Sequence, residues 1–120
     1  MLTPWLHYIS YFFGGTFFAN ALPHLVSGLM GRPFQSPFAK PPGRGLSSAI
    51  VNVVWGWVNL VFGYGLVFLV GTFNIRSVPD SLALGLGILA IGVMLARFFG
   101  RVNGGNLQKD SSDNVKGISS

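Results

Sequence analysis

Four polar side chains recur at helical spacing inside the first apolar segment of the chain: Thr16, Asn20, His24 and Ser27. Residues spaced by three and four lie on one face of a helix. His24 is the member of this row that can exchange a proton near neutral pH. A polar row within an apolar helix faces protein or water rather than lipid. The row is therefore either a packing seam or one wall of a small polar cavity.

The second apolar segment carries a matching row: Asn52, Trp55, Gly56, Asn59 and Gly63. Its glycines would let two helix backbones approach closely. If the two segments form an antiparallel hairpin, residues at equal depth meet. The expected pairs are Asn20 with Asn59, His24 with Trp55 and Gly56, and Ser27 with Asn52. The sequence thus predicts a tight hairpin joined by polar contacts.

Pro23 interrupts the first of these segments. Proline has no backbone N–H, so the carbonyl of Ala19 loses its helical partner. In lipid that carbonyl must be satisfied by a side chain, water or a neighbouring helix. Pro23 therefore predicts a kink in the first helix.

The elements that must position these rows follow from composition and charge. Half of the 120 residues are hydrophobic and only 9% are charged. Two stretches free of charge, and a third that carries only Arg97 near its end, are each long enough to cross a hydrocarbon core of ~30 Å. We expect an all-α membrane protein with three transmembrane helices at about 5–30, 49–72 and 81–99. The first span lacks the positive flank of a secretory signal, so we expect it to be retained.

The remaining charges predict the orientation. The loop 31–48 is rich in proline and holds cations without an acid, whereas Arg76 and Asp80 cancel in the second connection. Cytoplasmic segments carry an excess of Lys and Arg. We therefore expect a multi-pass inner-membrane protein with its N-terminus outside and its C-terminus inside. The polar tail 101–120 cannot bury enough apolar surface to fold alone, which predicts disorder.

The same loop offers candidate contacts for a lipid phosphate: Arg32, Lys40, Arg44, Ser47 and Ser48. Exposed N–H groups at a helix start, together with basic side chains, favour an anion. The alternative is an ordinary serine cap beside positive anchors. Either way, we expect the lipid bilayer, including anionic lipids, to be a partner.

The third span carries small residues four apart, at Gly92, Ala96 and Gly100. Such a ladder packs against another helix, either within the chain or in a second copy.

Enzymatic chemistry has little to draw on. The three acidic residues are all Asp, none lies inside a predicted span, and cysteine is absent. His7 and His24 fall on opposite sides in the predicted topology, so they cannot share a metal ion. We expect no catalysis, no metal and no cofactor. The net charge of +5 follows span ends rather than forming a basic face, so nucleic acid is not an expected partner.

The segment from Phe17 to Tyr64, with "NALPH", "GRPFQSPFA" and "NVVWG", resembles a family of small bacterial integral membrane proteins of uncharacterised function. The resemblance covers about the first half of the chain and implies a bacterial inner membrane. It implies no activity, substrate or cofactor.

Two functional hypotheses follow. The first is a non-catalytic membrane subunit that assembles with other membrane proteins or with itself. The alternative is a small transporter, channel or lipid-binding protein. In it, Asn20, His24, Asn52 and Asn59 would line a polar site at the cytoplasmic end of spans one and two.

Overall fold

A computed structural model describes residues 4–105 of the chain. The fold is mostly helical. Its elements in chain order are α1 (Pro4–Leu29), β1 (Phe34–Gln35), β2 (Leu46–Ser47), α2 (Ala49–Tyr64), a π-helical turn (Gly65–Leu69) that continues α2, and α3 (Val78–Asn103).

Two helical segments, Ala49–Leu69 and Val78–Asn103, are long and apolar enough to cross a membrane. This is a criterion of length and composition. α1 has 26 residues, so it has the length, but the polar side chains along it interrupt its apolar run. A mostly helical chain with two candidate membrane spans is thus what the structure establishes.

α1 lies between the other two helices and packs against both. Two adjacent glycines make this possible. A Cβ on Gly14 would collide with Val67 beyond α2, and a Cβ on Gly15 would collide with the Leu84 carbonyl of α3. On the α3 side of the contact between α1 and α3, a Cβ on Gly87 would overlap the backbone of Phe12. Small residues therefore bring α1 into backbone contact with both neighbours.

Each helix has a defined end that the sequence encodes locally. α1 closes at Gly31, which has φ 72°, and the Arg32 N–H donates to the Ser27 carbonyl at 2.8 Å. The left-handed glycine, this bond across five residues and the bond from the Gly31 N–H to the Gly28 carbonyl form a Schellman motif. Ser48 caps α2 by accepting from the Val51 N–H at 3.2 Å, and Ser77 caps α3.

Pro23 lies inside α1, which continues unbroken from Pro4 to Leu29. Two separate half-helices are therefore not formed at this proline.

The loop 31–48 departs from the all-α expectation. Phe34 pairs with Ser47 and Gln35 pairs with Leu46 in a short antiparallel ladder. The physical reason is that backbone polar groups held against an apolar bundle must be hydrogen-bonded. A two-residue ladder satisfies them while leaving the rest of the loop irregular.

α3 is longer than predicted and ends at Asn103, followed by Gly104 at φ 80°. The expected disordered tail 101–120 is therefore wrong at its start, because residues 101–103 are helical. Cations such as Arg101 are favourable near a helix C-terminus, and their long stems can lie along apolar surface. The part of the expected tail from residue 106 onward lies outside the described residues.

Candidate polar site between the helices and the loop

The centre of the polar site is a contact between α1 and α2. His24 Nδ1 lies 2.7 Å from Asn52 Oδ1. His24 is 2% exposed and Asn52 is fully buried. A histidine and an asparagine therefore meet in the buried interface between α1 and α2.

The surroundings of Asn52 determine which way its amide points. Its Nδ2 lies 3.1 Å from the Phe34 carbonyl, 3.1 Å from the Ser47 carbonyl and 3.0 Å from the Ser48 carbonyl. Carbonyl oxygens only accept hydrogen bonds, so the atom facing them is the amide nitrogen and the atom facing His24 is the oxygen.

This orientation also assigns the tautomer of the imidazole. Because Asn52 Oδ1 only accepts, His24 Nδ1 carries the hydrogen and donates it. In the neutral ring the other nitrogen, Nε2, is then an acceptor. Asn52 uses its amide nitrogen and its oxygen together to hold α1 and the loop against α2.

A second polar contact joins the same helices further from the loop. Asn20 Nδ2 donates to Asn59 Oδ1 at 2.9 Å. Asn59 Nδ2 donates to the Trp55 carbonyl in its own helix at 2.8 Å, which fixes the oxygen toward α1. This is the pair expected from equal depth in an antiparallel hairpin.

The other members of the first predicted row are placed differently. Thr16 donates its hydroxyl to the Phe13 carbonyl of its own helix at 2.6 Å. The expected Ser27–Asn52 pair is replaced by His24–Asn52. The reason is that Gly28 occupies the seam, where a Cβ would overlap the Ala49 carbonyl. This rotates Ser27 away from the centre of the contact.

Trp55 lies beside His24, as the depth pairing predicts, with ring centroids 6.4 Å apart. Its indole Nε1 is buried and has no hydrogen-bond partner among the described residues. A buried donor without a partner is uncommon in folded proteins and calls for a physical explanation.

The loop folds over this site and connects it to α3. The Phe34 ring lies 5.5 Å from His24 and 4.8 Å from Phe99. The Gln35 and Asn103 amides exchange two hydrogen bonds of 2.9 and 3.3 Å. The loop is therefore a packed part of the bundle that touches all three helices.

Gln35, Phe34 and Asn103 were not among the residues selected from the sequence. Their partners are far away along the chain, and a loop residue has no periodicity that would reveal its contacts. The repeated Pro-Phe pairs in the loop were the one visible signal, since apolar rings in a basic loop need a surface to cover.

A cavity of about 160 Å³ lies between the loop and the three helices. Its walls include Asn20, His24, Gln35, Ser36, Trp55 and Phe99. The polar site is thus partly packed and partly hollow.

The candidate lipid-phosphate contacts divide into two groups. Arg32, Lys40 and Arg44 are exposed. Ser47 is buried, and its hydroxyl lies 2.5 Å from that of Ser36, whereas Ser48 caps α2. Ser47 as a phosphate contact is therefore wrong, because a buried, bonded hydroxyl cannot reach a headgroup.

The bundle has a basic end and an end where charges balance. The loop cations lie at the same end as Arg97 and Arg101, since Gln35 binds Asn103 there. At the other end, Asp80 accepts from the Asn74 N–H at 3.0 Å and Arg76 lies in the same turn.

No family model, curated protein or solved structure matches this chain.

Proposed function

We propose that the chain is a three-span protein of a bacterial inner membrane that acts as a non-catalytic subunit, assembling with other membrane helices or with its own copies. In this proposal α1 also crosses the membrane, in addition to the two candidate spans formed by α2 and α3. Its 26 residues reach ~39 Å at ~1.5 Å per residue, more than a hydrocarbon core requires. Its polar side chains Asn20 and His24 bond to α2, so they lower its hydropathy without meeting lipid.

The charge distribution supports an orientation with the basic loop and the end of α3 in the cytoplasm. The chain contains no cysteine, so single cysteines can be introduced without a background. Arg44→Cys should be labelled by a membrane-impermeant maleimide only after the membrane is opened, and Ile75→Cys should be labelled in intact cells. The reverse pattern would contradict the orientation.

The observation that carries the assembly proposal is the uncovered face of α3. Only 6% of the apolar window of this helix is buried. A Cβ on Gly85 or on Gly92 would meet nothing within 4 Å, whereas one on Gly87 would collide with α1.

An open glycine weakens a helix by roughly 1 kcal/mol relative to alanine. Close approach of another helix is the usual compensation in membranes. The inward Gly87 receives that compensation from α1. Gly85 and Gly92 would receive it from a neighbouring chain.

The polar contacts inside the chain are consistent with this role because they hold its helices together. Asn52 and Asn59 use their amides to fix α1, α2 and the loop, which provides a rigid unit with a constant outer face. Arg32, Lys40 and Arg44 would meet anionic headgroups, each contributing about 1 kcal/mol near such a surface.

Native mass spectrometry of the tagged protein, gently extracted from its own membrane, tests the assembly. We expect either whole-number multiples of the 12.9 kDa chain or a complex with other polypeptides. Gly92→Leu should remove the assembly while helical circular dichroism is retained. Val61→Leu, on the exposed side of α2, is the matched control and should assemble normally. A monomer at every concentration would contradict the proposal.

A further inference from the structure

The C-terminal part of α3 carries a patch that joins positive charge to apolar surface. Met94, Arg97, Phe98 and Arg101, called the arginine patch below, line a cavity of about 260 Å³. Their helical spacing places them on one face of α3, and all four side chains are exposed. Two guanidinium groups and two apolar side chains are thus presented together.

The loop brings another cation to the edge of this patch. A Cβ on Gly43 would lie 3.5 Å from the Phe98 ring, so the loop backbone passes beside the patch. Arg44 follows Gly43 directly and is exposed. Three arginines therefore lie near Phe98.

No carboxylate within residues 4–105 offsets these charges. The acidic side chain in that range is Asp80, which lies in the first turn of α3, ~25 Å along the helix from Arg97. Exposed charges interact over only about 10 Å at ordinary salt concentrations. The arginine patch therefore favours an anion from outside this part of the chain.

The residue type restricts the chemistry of that anion. Guanidinium groups bind carboxylates and phosphates through paired N–H···O bonds. Each guanidinium group carries five N–H donors, so an arginine can hold a phosphate oxygen and keep another contact. Depth in the membrane selects between the two kinds of anion.

α3 is a candidate membrane span of 26 residues, which reaches ~39 Å, against ~30 Å for the hydrocarbon core. Its last turn, with Arg101, then lies at the level of the lipid headgroups, and Met94 lies about two turns deeper, at the level of the acyl chains. A ligand that spans both levels has an anionic head and an apolar tail, as a phospholipid does. A free phosphate or a peptide carboxylate would leave Met94 and Phe98 unused.

The arginine patch is also separate from the open glycine face of α3. Arg97 and Arg101 follow Gly92 by five and nine positions, which places them roughly 140° and 180° around the helix from it. A helix packed on Gly92 would therefore leave the patch uncovered.

We infer that the arginine patch is a binding site for one anionic phospholipid, whose phosphate lies on the two guanidinium groups and whose acyl chain begins against Met94 and Phe98. The site rests on the membrane placement in the proposed function. It does not depend on the proposed assembly.

The test is native mass spectrometry of the delipidated full chain in a neutral detergent, titrated with phosphatidylglycerol or phosphatidylcholine. The full chain is used because Asp110 and Asp113 could compete for the arginines. We expect one phosphatidylglycerol to be retained at concentrations at which phosphatidylcholine is not.

The variants Arg97→Gln and Arg101→Gln should each weaken phosphatidylglycerol binding about fivefold, the loss expected for one cation at an anionic surface. Helical circular dichroism should be retained in both. Arg76→Gln removes the same charge at the opposite end of the bundle and is the matched control, which should bind phosphatidylglycerol like the unchanged chain.

Glycerol 3-phosphate distinguishes a lipid from a free phosphate, because it carries the phosphate without acyl chains. It should not displace phosphatidylglycerol at equal concentration, and Met94→Gln should weaken lipid binding. Displacement by glycerol 3-phosphate would show that the anion alone is bound and would overturn the phospholipid assignment.

Two further outcomes separate this inference from the proposal on which it rests. A chain found in the membrane fraction of cells, but whose two arginine variants keep the full preference for phosphatidylglycerol, would overturn the lipid site alone. A chain found only in the soluble fraction would overturn both.

Discussion

Replacing Asn52 with leucine should destabilise the fold by removing hydrogen bonds without a large change in side-chain volume. Its bonds to His24 on α1 and to the Phe34 carbonyl in the loop join residues 28 and 18 positions apart, whereas its bonds to the Ser47 and Ser48 carbonyls are local. Contacts of this kind in membrane proteins contribute ~0.6–2 kcal/mol each. The expected loss is therefore about 1–4 kcal/mol in the free energy of unfolding.

The bonds to the Ser47 and Ser48 carbonyls add less to the loss of unfolding free energy. The Ser48 carbonyl still receives the Asn52 backbone N–H at 3.1 Å, so it keeps a partner after the substitution. The His24 N–H loses its partner in a site with 2% exposure. An unpaired buried donor carries its full desolvation penalty, which favours the upper half of the range.

The assay is reversible unfolding in mixed micelles, in which SDS is titrated and helicity is followed by far-ultraviolet circular dichroism. Val54→Ala is the control, because Val54 is 57% exposed on the same helix and should change stability by no more than about 0.5 kcal/mol. If Asn52→Leu costs no more than this control, then the polar contact does not hold the loop and α1 to α2.

Two further predictions concern the packing of α1. Asn20→Ala and Asn59→Ala should show a double-mutant coupling of ~0.6–2 kcal/mol in the same titration, because the two amides bond each other; a coupling indistinguishable from zero would count against that bond. Gly87→Leu should destabilise the fold by several kcal/mol, about the scale of severe core overpacking, because its side chain would enter the Phe12 backbone. Gly85→Leu, on the open side of α3, should leave the unfolding free energy of the monomeric chain in dilute micelles within about 1 kcal/mol. Equal losses for the two variants would contradict the placement of α3.

The contact face between α1 and α2 could be predicted from the sequence because its residues recur with the period of a helix. In an apolar background, amides and glycines at steps of three and four stand out, and the row from Asn52 to Gly63 is buried as a continuous stripe. The start of α2 was equally predictable, since a serine before an apolar run is a local capping signal. The predicted partner of Asn52 was wrong, because Gly28 rather than Ser27 faces α2 and His24 takes the contact.

The loop could not be predicted in the same way. Its contacts join residues far apart in sequence, such as Gln35 with Asn103 and Phe34 with Phe99. Short polar and proline-rich segments carry turn signals but no periodicity, so nothing in them indicates which surface they will cover. The face of α3 that packs against α1 could not be predicted either. Several glycines of α3 could have faced α1, and in the structure Gly87 does.

The sequence by itself determined that the chain forms long apolar helices, where α2 begins and which polar residues share a face. These properties depend on local chemistry and on a period of 3.6 residues. The tertiary structure alone decided that α1 lies between α2 and α3, that the loop closes over His24, and that the Trp55 indole has no hydrogen-bond partner within residues 4–105. Those outcomes depend on which surfaces meet and what space is left between them, and no local pattern encodes that space.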